Sequence, residues 1–247
     1  TPHAIAGLEM TRYMFETCTS PEQCAKVVVK NRGNAMRNPY AAFAAELTER
    51  DVLGSELVSF PLRRLDIAPH ADGAVVAVLA DDQTAQALGG TPIWIDGIGW
   101  CTDTPTLEMR DWGEAAYARI ASEMAYKMAG IANPRGLIDI AEICDEYSYK
   151  ELQHMEALKF CNRGEAAEML ESGATSVQGE LPVNISGGAL GVGHLFEASG
   201  AHKILELVEQ LRGEAGARQV PDVNIGLAQI WRGVPTATGA VAILSNM

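Results

Sequence analysis

At 247 residues, with 47% hydrophobic and 21% charged residues, the chain has the size and balance of a globular protein of one large or two small domains. Its net charge of −13 opposes nucleic acid and anionic membrane surfaces, so an anionic ligand needs a local basic patch. No apolar run approaches the roughly 18 to 20 residues of a membrane helix, and no basic stretch leads into an apolar core as in a signal peptide. The cysteines Cys18, Cys24, Cys101, Cys144 and Cys161 are odd in number and irregularly spaced. They form neither a zinc pattern nor a disulfide framework, which points to a reducing cytoplasm. The chain opens on Thr1 rather than Met, which points to a processed or partial polypeptide.

Residues 3–16 read as a helix. Thr19-Ser20-Pro21-Glu22 reads as a second helix start, with a hydroxyl cap, Pro in the first turn and then an acid. That helix carries Cys24, Val27 and Val28 to about Asn34, and Asn38-Pro39 stops it. A short helix is expected from Thr48 to Gly54. Lys26, Lys30, Arg32 and Arg37, with Arg63 and Arg64 further on, form the best basic surface of an acidic chain. They read either as a site for a phosphate-bearing ligand or as a solvated face. Ala74 to Leu79 is a continuous apolar run and is expected to be a buried strand. Asp81 to Leu88 reads as a short helix, and Gly89-Gly90 breaks it, placing the boundary between two units, 1–90 and 91–247.

The second unit opens with a strand from Pro92 to Gly99 and a helix from about Trp112 to Ala129. A strand from Ile138 to Ile143 ends at Cys144-Asp145-Glu146-Tyr147, and a helix follows through Phe160. After a Gly-rich acidic loop come Val183 to Ser186, a Gly-rich turn with His194 at its centre, a helix from about Ser199 to Leu211, and strands at Val223–Ile230 and Thr238–Leu244. The order β-α-β-α-β-α-β-β argues for an α/β sheet covered by helices.

The stretch Asn184-Ile-Ser-Gly187-Gly188-Ala-Leu-Gly-Val-Gly193-His194-Leu-Phe-Glu-Ala-Ser-Gly200 resembles the thiolase motif N-x-x-G-G-x-x-x-x-G-H-P-x-G-A-S/T-G. With Arg12-Tyr13-Met14, Lys30-Asn31-Arg32, Pro61-Leu62-Arg63, Asp72-Gly73-Ala74 and Ile138-Asp139-Ile140-Ala141-Glu142, it is similar to the sterol carrier protein-type branch of the thiolase superfamily. This resemblance implies an α/β thiolase fold, layered α-β-α-β-α, with an incomplete N-terminal half. Residues 1–90 would be the remainder of the N-terminal domain and its loop region, and 91–247 the C-terminal domain. The nucleophilic cysteine of a complete thiolase would lie outside this chain.

The resemblance also implies a reaction that makes or breaks the bond between the α and β carbons of a 3-oxoacyl-CoA. Coenzyme A is then a co-substrate; no covalently bound cofactor and no metal are expected. His194 falls on the catalytic histidine. At the family's H-D-C-F site this chain reads Cys144-Asp145-Glu146-Tyr147, so Cys144 stands at the histidine position and Glu146 at the acid/base cysteine. A buried Glu can carry protons to and from an α carbon; otherwise the site is degenerate. Tyr147 and Tyr149 are candidate phenolic acids. Lys30, Arg32, Arg63 and Arg64 are expected at the CoA phosphates, and Gly187, Gly188 and Gly193 along the substrate.

Leu195 replaces the motif's proline, and Phe196-Glu197 stands where small residues are expected. This remodelling suits a bulky or aromatic acyl group, as in benzoylsuccinyl-CoA thiolases. The alternatives are a thiolase-like aldolase acting on a sterol side-chain-type acyl-CoA and a non-catalytic acyl-CoA-binding subunit. The implied partners are an acyl-CoA, a second copy in a homodimer, and a small zinc-ribbon/OB-fold protein.

Overall fold

A computed structural model describes residues 1–104, 106–233 and 237–246. Helix α1 (Pro2–Thr17) starts where the Thr1 hydroxyl accepts from the Ala4 N–H. It turns Ala6, Met10 and Tyr13 into the core. Helix α2 (Pro21–Ala35) begins with a reciprocal cap between Ser20 and Gln23. Each side chain satisfies a backbone N–H that the first turn leaves free. Its inward face is Cys24, Val27, Val28, Asn31 and Ala35. Helix α3 (Glu49–Gly54), strands β1 (Leu57–Ser59) and β2 (Leu62–Arg63), which form an antiparallel pair, and helix α4 (Asp82–Leu88) follow.

The main sheet is assembled from strand β3 (Trp94–Thr102), strand β4 (Ile140–Glu142), strand β5 (Ile225–Arg232) and strand β6 (Thr238–Ser245), in the order β3-β6-β5-β4. The β3–β6 and β6–β5 pairs are antiparallel, and β5–β4 is parallel. Between β3 and β4 lie helices α5 (Ala116–Ala129) and α6 (Pro134–Leu137). Between β4 and β5 lie α7 (Ser148–Ala157), α8 (Ala166–Glu171), α9 (Gly188–Val192) and α10 (Ala198–Arg212). Helix α5 packs across β3 and β6, and α10 packs across β5 and β4. Val183 bridges Ala141 in parallel, so the strand expected over 183–186 is reduced to one bridge.

Close approach of α5 to the sheet depends on missing side chains. A Cβ at Gly99 would overlap the Ala121 carbonyl, and one at Gly97 would overlap the Ala125 carbonyl. Gly99→Ala is therefore expected to lower stability by about 1–3 kcal/mol, because the helix must lift off the sheet. Denaturant unfolding with an unchanged m value would check this.

The run Ala74–Leu79 is not a strand. Val76 and Val78 are 87% and 86% exposed, and α4 after it buries nothing. An apolar run becomes a strand only when neighbouring backbone takes up its N–H and C=O groups. Among the described residues no strand lies alongside it. The acidic loop expected after Phe160 contains α8, whose Ala166, Ala167, Met169 and Leu170 are buried.

Candidate active site

The loop that leaves β4 is stitched to the Gly-rich turn by polar side chains. Asn184 accepts from the Ile143 N–H at 2.8 Å through its Oδ1 and donates to Glu151 at 2.7 Å. The Ser186 N–H and hydroxyl both donate to Glu142, at 2.9 and 2.6 Å. Asp145 accepts from the Ala189 N–H at 2.6 Å, the Leu190 N–H at 3.2 Å and the Asn31 amide at 2.8 Å. These bonds satisfy buried groups that would otherwise be costly.

A strap over residues 67–71 fixes the other side. The Ala68 N–H donates to the Glu146 carbonyl at 2.9 Å, the His194 N–H to the Pro69 carbonyl at 2.7 Å, and the Ala71 N–H to the His194 carbonyl at 3.1 Å. One extended segment thus holds the Glu146 loop and the His194 loop together. The sequence reading passed over it, because neither its composition nor its periodicity marks a strand.

Glu146, Tyr147 and His194 line one cavity of about 380 Å³, with Glu9, Phe196 and Trp231. Burial pushes the Glu146 carboxyl up to about 7; the Lys150 ammonium and the Tyr147 hydroxyl oppose this, and Asp145 adds to it. The Tyr147 phenol is raised by burial and then by Glu146, so it stays protonated as a donor. Its oxygen lies 3.2 Å from Nδ1 of His3. Burial, then His70 and Lys203, lower the His194 imidazole against a weaker pull from Glu197, so it is neutral at neutral pH. The His194 ring sits 5.8 Å from that of His70 and 5.0 Å from that of Phe196.

The other residues singled out from the sequence lie elsewhere. Cys144 is buried beside a much smaller second void that His194 also borders. Burial pushes its thiol up to about 11, so it remains a thiol rather than a thiolate. Gly187, Gly188 and Gly193 are buried and do not line the larger cavity. A Cβ on Gly187 would meet Ala35 at 2.6 Å, and one on Gly188 would overlap the Asp145 carboxylate. Gly188 and Gly193 also hold φ of 57° and 113°, which favours glycine. Gly188 and Gly193 line the smaller void beside His194.

The basic residues expected at the CoA phosphates are placed as follows. Lys30 points inward, donating to the Val183 carbonyl at 2.7 Å and pairing with Glu151 at 2.9 Å. Arg32 is buried, donates to the Phe43 carbonyl at 3.0 Å and lies over the Phe43 ring. A buried cation needs such partners, and the Arg32 Nε has none among the described residues. Arg63 donates to the Ser55 carbonyl at 2.9 Å, and Arg64 pairs at the surface with Glu56, also at 2.9 Å.

Behind the cavity wall lies a network that sequence reasoning missed. Lys150, fully buried, donates to Glu9 at 2.7 Å, Gln153 at 2.7 Å and the Tyr117 hydroxyl at 3.0 Å. Tyr149 donates to the other Glu9 oxygen at 2.7 Å. His154 donates from Nδ1 to the Cys144 carbonyl at 2.8 Å, and its Nε2 accepts from Tyr117 at 2.9 Å. Lys150 also lies 4.4 Å from the Trp231 ring centroid.

A carboxyl poised near neutral pH, a protonated phenol and a neutral imidazole around one cleft can move protons on a bound substrate and donate to a developing oxyanion. Among the described residues no cluster of His, Cys, Asp and Glu could hold a metal ion, and no helix is long and apolar enough to cross a membrane.

The thiolase C-terminal domain-like family matches residues 99–246. The acetyl-CoA acetyltransferase of Methanothermobacter thermautotrophicus is 37% identical over 236 residues, which cover 95% of this chain and 61% of that protein. Benzoylsuccinyl-CoA thiolase subunit BbsB of Thauera aromatica is 32% identical over 218 residues, 88% of this chain and 56% of that protein. The chain therefore spans little more than half the length of these curated relatives. Among solved structures the Ltp2-ChsH2(DUF35) aldolase is similar with a TM-score of 0.85 and 26% identity, over 99% of this chain and 63% of that one. In fold, in its Gly-His turn and in the match over its second half, the chain belongs to the thiolase C-terminal domain-like family.

Proposed function

We propose that this chain is part of an enzyme that makes or breaks a carbon–carbon bond of a CoA thioester, with Glu146 as the acid/base group at the α carbon. The observation that carries this is the placement of the Glu146 carboxyl, raised to about 7, on the same cavity as Tyr147 and His194. A proton-transfer group works best with a pKa near the working pH. His194, neutral, would donate to a thioester or ketone oxygen as charge develops there. Phe196, on the cavity lining and 54% exposed, offers an aromatic face that suits a bulky or aromatic acyl group. Residues 1–90 and 91–247 are the two units of this reading.

The first form of the reaction is thiolysis of a 3-oxoacyl-CoA, which needs a cysteine nucleophile. The second is aldol cleavage, which releases a carbonyl compound and an acyl-CoA without an acyl-enzyme. The likeness to the Ltp2-ChsH2(DUF35) aldolase, with carboxylate and phenol groups on the cavity, supports the second form. A partner chain belongs to either form: that aldolase pairs two named components, and BbsB is a subunit.

The test is to incubate the full-length protein, with any co-purifying chain, with benzoylacetyl-CoA plus free CoA, and separately with 3-hydroxy-3-phenylpropionyl-CoA alone. CoA-dependent release of benzoyl-CoA and acetyl-CoA supports thiolysis. CoA-independent release of benzaldehyde and acetyl-CoA supports aldol cleavage. Neither cleavage nor exchange of the α protons with solvent overturns the reading.

A further inference from the structure

We propose that Glu9 is a substrate-binding carboxylate of this cavity, held by the buried Lys150, and that it accepts a hydrogen bond from a hydroxyl on carbon 3 of the acyl group. The inference rests on the reading that the cavity takes a CoA thioester.

Glu9 comes from α1, far in sequence from the loops that carry Glu146 and His194, yet it lines the same cavity and is 5% exposed. One of its oxygens takes the Lys150 ammonium at 2.7 Å and the other the Tyr149 hydroxyl at 2.7 Å. A carboxylate offers about four acceptor sites, so acceptor capacity remains for the cavity. Lys150 has three donors, and Glu9, Gln153 and Tyr117 use all of them. It has none left to reach a substrate; its effect is exerted through Glu9.

Desolvating such a pair is costly, and well-packed apolar residues fill the same space at least as well. A purely structural pair has no reason to end on a cavity wall, whereas a fixed acceptor does. Trp231, 6% exposed and on the same wall, leaves its indole N–H without a partner among the described residues. A hydroxyl is the small group that satisfies both an acceptor and a donor. A plain acyl chain would leave the spare acceptor capacity of Glu9 and the Trp231 N–H unmet, and a 3-oxo group would present an acceptor to an acceptor.

The experiment is calorimetric binding of 3-hydroxybutyryl-CoA and butyryl-CoA to the full-length protein. The wild type is expected to prefer the hydroxylated probe by about 10- to 100-fold, the value of a hydrogen bond to a charged group. Glu9→Gln is expected to cut that preference to within about three-fold. Because Glu9→Gln leaves Lys150 without its anion and can unfold the protein, the double variant Glu9→Leu with Lys150→Met is measured beside it. It removes the pair without leaving a lone charge, and it is expected to bind both probes alike. Equal binding of the two probes by the wild type, or a preference that survives in the double variant, overturns the proposal while leaving the broader reading standing. No binding of either thioester overturns both.

Discussion

Glu146→Gln is expected to slow α-proton transfer on a bound acyl-CoA by about 10²- to 10⁴-fold, the usual contribution of a positioned acid/base group. The amide keeps the shape of the side chain and removes only its proton chemistry. Deuterium incorporation at the α carbon reads the step directly, whether cleavage proceeds by thiolysis or by aldol chemistry. Full exchange in this variant would exclude Glu146 from the role.

The pH dependence follows from the Glu146 carboxyl standing at about 7. Abstraction of an α proton needs the carboxylate, so its rate rises with pH through about 7 and then levels. Protonation of a departing enolate needs the acid, so that rate falls above about 7. Stability moves with the same group. Between the ordinary Glu value and about 7 the folded state holds a proton that the unfolded state has lost, so stability declines as pH rises through this window and is flat above it. Relative to Glu146→Gln, the wild type is expected to lose roughly 2–3 kcal/mol between pH 4 and pH 8. Parallel denaturant curves of the two proteins across this range would show it.

Lys150→Met is expected to lower stability by about 3–5 kcal/mol, one of the larger losses available to a single substitution here. The cause is not the loss of an attraction alone. Lys150 is fully buried and Glu9 is 5% exposed. Removing the cation leaves an anion with only the Tyr149 hydroxyl against it, and strips Tyr117 and Gln153 of their donor. Burial already pulls the Lys150 pKa down, and Glu9 is the first group holding it up. Adding Glu9→Leu is expected to restore most of the loss, because the double variant buries no lone charge. Chemical denaturation of the single and double variants forms the cycle; a double variant as unstable as the single would show that packing around Lys150, rather than its charge, is what matters.

Much of the second half was legible along the chain. Ser20 and Gln23 announce α2 through local capping, and the alternation of strands and helices from Trp94 to Ser245 follows from patterns a few residues long. Glu146 and His194 stood out because each lies in a short stretch with chemistry written into it. The run Ala74–Leu79 shows the limit of the same reasoning: its apolar composition is that of a strand, but pairing depends on backbone supplied from elsewhere. The basic residues show it again. Lys30 and Arg32 sit on α2 and are drawn inward by Glu151, the Val183 carbonyl and the Phe43 carbonyl, groups that lie between 11 and 153 positions away.

The sequence by itself determined the family, the class of fold and three of the groups on the cavity, Glu146, Tyr147 and His194, because capping, periodicity and a 17-residue motif are all local properties. The tertiary structure alone decided what surrounds them. It brought Glu9 from α1 against Lys150 on α7, across 141 positions. It set Gly187 against Ala35 and Gly188 against Asp145, where a side chain would not fit. It also set the Glu146 carboxyl near neutrality, since desolvation is the sum of everything packed around a group and no stretch of sequence contains it.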